Sequence, residues 1–136
     1  MKVYIASHDK WAALHWAAEL SNAGHGIAST WHDHAFTRTD EIAPDDRPAV
    51  AFDCVQEIES ADALLLLTPH GDCPGGIYAE AGVALSQGLP VFLVGRRSNL
   101  MLWHPDVVQC DEVQGVLEAM VDASAVSDDM PDFGGN

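Results

Sequence analysis

The residues with the clearest chemical potential fall in one short stretch. Glu80 is a single acid among small and apolar residues in Gly75-Gly76-Ile77-Tyr78-Ala79-Glu80-Ala81-Gly82, a segment that reads as a helix over residues 77–87, closed by Gly88. A polar, glycine-bearing loop precedes it, Gly71-Asp72-Cys73-Pro74-Gly75-Gly76. An acid in the first turn of a helix is held ionised by the helix dipole. An ionised carboxylate is the nucleophile suited to an electrophile that resembles an oxocarbenium ion. The bland alternative is a solvated acid that merely suits a helix end. Gly75 and Gly76 permit a tight loop and let backbone approach a ligand.

Other constellations carry weaker signals. Ser7-His8-Asp9 contains triad residue types, but sequence neighbours seldom form a working triad. The loop with His8 and Lys10 at the start of a helix is better read as a phosphate or sugar contact, with Ser7 and His8 as substrate-binding candidates. His32-Asp33-His34 has no cysteine or third histidine close by, so no metal site is expected. There is no G-x-G-x-x-G after the first strand and no P-loop, so dinucleotides and triphosphates are not the expected ligands, and no cofactor is implied. Trp31 either stacks on a base or packs at the rim. Tyr4 either contacts the site or is a core residue whose hydroxyl finds a partner.

These residues need a scaffold, and the chain supplies an even rhythm. Apolar runs at residues 2–6, 27–31, 63–67 and 91–94 read as strands, with a short fifth at 106–108. Helical patterns fall at residues 11–23, 48–60, 77–87 and 111–121. In the second of these, Val50, Val55 and Ile58 point to the core. Residues 32–46 are polar without a period and read as a loop that shapes the site. Alternating strands and helices predict an α/β three-layer, flavodoxin-like (Rossmann-like) fold: a parallel sheet of four to five strands ordered 2-1-3-4-5. Ligands then bind at the carboxyl ends of strands one and three. Residues 1–123 form one domain, and residues 124–136 read as a flexible acidic tail.

Composition narrows the partners. The chain has 136 residues, 6 basic against 21 acidic, and a formal charge of −15. That balance argues against nucleic acid and anionic membranes, which need basic patches. No stretch has the pattern of a membrane span or signal peptide. Three widely spaced cysteines, Cys54, Cys73 and Cys110, suit a reduced cytoplasmic setting.

Several segments in order resemble the nucleoside 2-deoxyribosyltransferase family, whose superfamily includes deoxynucleoside monophosphate N-hydrolases. They are Met1 to Ser7, Ala23-Gly24-His25, Trp31, Ala61-Asp62, the Gly75 to Gly82 motif and Arg97-Ser98-Asn99-Leu100. The resemblance implies cleavage of an N-glycosidic bond, with Glu80 as nucleophile, Tyr4 orienting it and Asn99 completing a neighbouring subunit's site. It implies transfer of the deoxyribosyl group to another base or to water, with no cofactor and with a homo-oligomer built on a dimer. The family's helix aspartate falls on Cys54 by gapless count. Asp53 is one residue, about 100° of helix, away. Either a local shift lets Asp53 serve or the role is lost. An acid that some transferases carry six residues before the nucleophile falls on Pro74, with Asp72 the nearby substitute. The scarcity of cations leans toward nucleosides over 5′-monophosphates. The alternative function is a non-catalytic module that binds nucleosides or nucleotides in the same crevice.

Overall fold

Three apolar runs lack any polar alternation, which is the mark of strands covered on both faces. In the computed structural model Val3 to Ala6, Ala63 to Leu66 and Val91 to Leu93 are all at 0% exposure. The structure describes residues 1–34, 39–69 and 75–129, with side chains as far as residue 124. Its elements are β1 (Lys2–Ser7), α1 (Lys10–Asn22), β2 (Gly26–Ile27), α2 (Arg47–Glu59), β3 (Ala63–Leu67), α3 (Gly76–Ser86), β4 (Val91–Val94), β5 (Val107–Cys110) and α4 (Val113–Asp129). All strand pairs are parallel, in the order β2-β1-β3-β4-β5. The sheet and its order match the expectation from the sequence.

The two-residue period of the strands divides the core in two. Tyr4, Ala6, Leu64, Leu66 and Leu93 face α2 and α3, where Ile58, Ile77, Ala81 and Leu85 meet them. Val3, Ile5, Leu65 and Phe92 face the opposite layer, where α1 and α4 bring Trp16, Leu20, Val116 and Met120. Tyr4 therefore lies on the same side of the sheet as α3 and Glu80. Among the described residues no helix is long and apolar enough to cross a membrane.

The second strand departs from expectation. Residues 27–31 do not form a strand: pairing stops after Ile27, and Trp31–Asp33 is a 3₁₀ turn. Side chains replace the missing ladder. The Ile5 N–H donates to Ser29 Oγ at 3.0 Å, and Trp31 Nε1 donates to the Ile5 carbonyl at 2.7 Å. Ser29 Oγ also lies 2.9 Å from His32 Nε2, and both residues are buried. The sheet edge is thus satisfied without a strand, and Trp31 is pinned where a strand would run. We expect Ser29→Ala to cost about 2 kcal/mol, since it orphans a buried N–H and a buried imidazole. Urea unfolding of the two proteins measures the difference; equal stability would show that the edge is held otherwise.

Two helices also differ from expectation. In α2 only Ile58 is buried, and Phe52 and Val55 are exposed, so its apolar residues do not all serve the core. Helix α4 runs on through Asp129, across the boundary drawn at residue 124. The 39–46 segment contains two further 3₁₀ turns, Thr39–Glu41 and Pro44–Asp46.

Candidate active site

A cavity of about 760 Å³ opens at the carboxyl end of β1. Tyr4, Ser7 and His8 contribute from β1 and the residue after it, and Trp31 from the pinned edge. One face of α2 supplies Arg47, Val50, Ala51, Cys54, Val55 and Ile58. The start of α3 supplies Gly76, Ile77, Ala79, Glu80 and Val83, and Thr39, Asp40 and Ile42 complete the wall. Nucleotide-sized ligands fit cavities of this class, mostly apolar with a few polar groups.

Tyr4, Cys54 and Glu80 form the polar centre of this cavity. Tyr4 is fully buried, and burial raises its phenol pKa, with the nearby Glu80 charge adding to the rise. Burial also raises the Glu80 carboxyl, to about 7. The Tyr4 hydroxyl opposes that shift, and the Glu57 charge reinforces it. Tyr4 Oη and Glu80 Oε2 are both buried without a hydrogen-bond partner among the described residues. The two groups influence one another electrostatically but stop short of full hydrogen-bond geometry. Each such orphan costs about 1–3 kcal/mol, which a bound ligand can offset.

This corrects one expectation. Glu80 is not a first-turn acid held ionised by the helix dipole. Helix α3 begins at Gly76 and has no acid in its first turn. The dipole's influence fades beyond that turn, and desolvation wins.

Cys54 takes the position facing Tyr4 and Glu80, while Asp53 is exposed and lies off the cavity wall. Burial pushes the Cys54 thiol up, Tyr4 pulls the other way, and the Glu80 charge adds to the rise. No local shift of α2 brings Asp53 round, because Cys54 and Ile58 already share the inward face. Asp72 lies outside the described residues.

The remaining candidates sort by position. Ser7 and His8 line the cavity, but Asp9 does not join them in a triad. Asp9 caps α1, accepting from the N–H groups of Trp11 and Ala12 at 2.9 and 3.3 Å. Gly76 lines the cavity, and Gly75 precedes it with φ of −72°. A Cβ at either glycine would meet nothing within 4 Å, so it is open space, not backbone strain, that these glycines leave. His32 is buried against Ser29 while His34 is exposed. Asn99 does not line the cavity, and its buried Oδ1 has no partner among the described residues.

Residues 39, 40 and 42 lie in the segment expected to shape the site, and they do line the cavity. Arg47 escaped the sequence reading: it falls between that segment and the helix expected from residue 48, and α2, which begins at Arg47, carries it onto the wall. A smaller hollow of about 370 Å³ lies at the ends of β3, β4 and β5 on the opposite face. Its Gln109 amide is already spent on the carbonyls of Leu93 and Gly95, at 3.3 and 3.0 Å.

The fold is therefore a doubly wound parallel sheet with its cavity beside the switch point between β1 and β3. No protein-family description matches the chain, and no curated protein matches it. A solved structure does: the CMP N-glycosidase BcmB of Clostridium botulinum, at a TM-score of 0.57 and 13% identity, covering 89% of this chain and 99% of that one. The likeness is one of fold.

Proposed function

We propose that this protein cleaves the N-glycosidic bond of a nucleoside or nucleotide, with Glu80 as the nucleophile. The observation that carries the reading is the pair of buried, unpartnered atoms, Glu80 Oε2 and Tyr4 Oη, on one cavity wall at the switch point. The fold it shares with a CMP N-glycosidase supports the same reading.

The ionised Glu80 carboxylate attacks C1′ of the sugar. The C1′–N bond breaks and its electron pair leaves with the base, which takes up a proton. A glycosyl ester on Glu80 results, as in retaining glycosidases. Water then attacks C1′, the ester bond breaks and the carboxylate is regenerated; the water keeps one proton as the new C1′ hydroxyl and releases the other, balancing the one the base took up. A second base in place of water gives transfer. Tyr4 stands beside the carboxylate with its hydroxyl free to orient it or the sugar once substrate is bound, and Trp31 offers a flat face to the base.

One observation favours a second reading. Cys54 stands where the resemblance calls for an acid, so the cavity could bind a nucleotide derivative without turning it over. Incubation with deoxynucleosides, ribonucleosides and their 5′-monophosphates, with and without a free base, separates the readings. We expect base release. Exchange of bases would identify a transferase, and thermal stabilisation without turnover would leave a binder.

The assembly is part of the proposal. Leu100, Met101 and Trp103 are 84%, 59% and 62% exposed, directly after Asn99. Three adjacent large apolar side chains in water mark an interface. We propose a two-fold homodimer that buries them and carries Asn99 toward the partner's cavity. Light scattering at micromolar concentration should give twice the monomer mass, and Trp103→Glu should give the monomer. A wild-type monomer with full turnover would remove both the interface and the role of Asn99.

A further inference from the structure

Building on the N-glycosidic reading of the cavity, we propose that Arg47 recognises an anionic group on the substrate at the end of the sugar away from C1′, namely a 5′-phosphate.

Cations are scarce in this chain, six against 21 acids, and most are placed elsewhere. Lys10 donates to the carbonyl of His34. Arg97 lies 4.7 Å over the Trp103 ring and reaches the Val107 carbonyl. Lys2 and Arg96 are exposed, away from the cavity. Arg38 is outside the described residues. Among the described residues Arg47 is the one lysine or arginine on the cavity wall. It is half-buried, and its Nε donates to the Ile42 carbonyl at 3.1 Å. That bond fixes the plane of the guanidinium and leaves the two Nη groups unengaged among the described residues. A planar pair of N–H donors is the fork that phosphate oxygens accept.

The spacing suits a nucleotide. Arg47 and Cys54 are seven residues apart on α2, two turns along one helix face, which is about 10 Å. Cys54 marks the Glu80 end of the cavity. From C1′ to a 5′-phosphorus is roughly 6 Å, five bent bonds of about 1.5 Å each. A hydrogen bond of about 3 Å from phosphate to guanidinium covers the rest. The start of α2 has no side-chain cap, so its dipole adds positive potential beside Arg47.

Opposing charges are present. Asp40 is on the same wall, Asp45 and Asp46 flank the helix start, and the whole chain is negative. The long-range part is screened beyond about 10 Å at 0.1 M salt, which leaves the local contact to decide.

The test uses probes without a base, so it does not depend on turnover. Ribose 5-phosphate, 2-deoxyribose 5-phosphate and the two unphosphorylated sugars are titrated calorimetrically into wild type, Arg47→Met and Arg47→Lys. We expect wild type to bind at least one sugar phosphate at least tenfold more tightly than its sugar. Arg47→Met should lose that preference by tenfold, about 1.4 kcal/mol. Arg47→Lys should keep part of it through its point charge. Arg47→Gln serves in the same way if the methionine variant does not fold. Equal binding of sugar phosphate by wild type and Arg47→Met, or no preference in wild type, overturns the proposal. Failure of the N-glycosidic reading shows differently: no base release from any nucleotide, with the sugar phosphate still held through Arg47.

Discussion

Glu80→Gln should lose at least about a thousandfold in kcat, because it removes the proposed nucleophile while keeping its shape. Mass spectrometry of acid-quenched wild type during turnover should find the pentosyl group on Glu80. The same variant should be more stable than wild type at pH 8. In the unfolded chain this carboxyl loses its proton near 4.5, and in the folded protein only near 7. Between those values the unfolded state binds fewer protons, so stability falls as pH rises and the full penalty is present above 7. The glutamine carries no such penalty, and its advantage at pH 8 should be about 3 kcal/mol, vanishing toward pH 4. The kcat/KM of wild type should rise with pH through an inflection near 7, after correction for any substrate phosphate that titrates near 6. Undiminished turnover in Glu80→Gln would exclude the covalent route. A variant less stable than wild type at every pH would show instead that the carboxylate is a structural partner.

Gly95→Ala should be the most damaging small substitution in the fold. Gly95 ends β4 with φ of +120°, where L-residues are strained. An added Cβ would also stand 2.2 Å from Thr68 Oγ1 and 2.4 Å from the Thr68 carbonyl oxygen. The threonine cannot easily yield. Its N–H donates to the Val94 carbonyl and its hydroxyl to the Arg96 carbonyl, each at 3.0 Å. We expect a loss of at least about 3 kcal/mol, strain and clash together. Gly88→Ala is the internal control. Its φ of +76° is strained too, but nothing lies within 4 Å of the added Cβ. It should cost only about 1–2 kcal/mol. Equal midpoints for the two variants in urea would show that β3 and β4 relax apart at no cost.

What the sequence determined by itself was the sheet. The runs at residues 63–67 and 91–94 contain no polar residue, so only a covered parallel strand satisfies them, and β3 and β4 fall there. Glycine stops and helical spacing located the helices to within a few residues, except that α4 continues to Asp129. The resemblance singled out Glu80 and Tyr4, and the alternation of β1 together with the packing of α3 put them on one side of the sheet. Other features were not local properties of the chain. The edge beyond β2 is closed by Ser29 and Trp31 side chains, which have no hydrophobic period to reveal them. Val50 and Val55 looked like core residues because apolar spacing is the same whether a helix face meets a core or a cavity. The choice between Asp53 and Cys54 depended on the rotation of α2, which the packing of Ile58 against the sheet sets. The protonation of Glu80 was misjudged for a related reason: a dipole is legible in a helix start, but desolvation exists only once Tyr4, Cys54 and α2 have closed around the carboxyl.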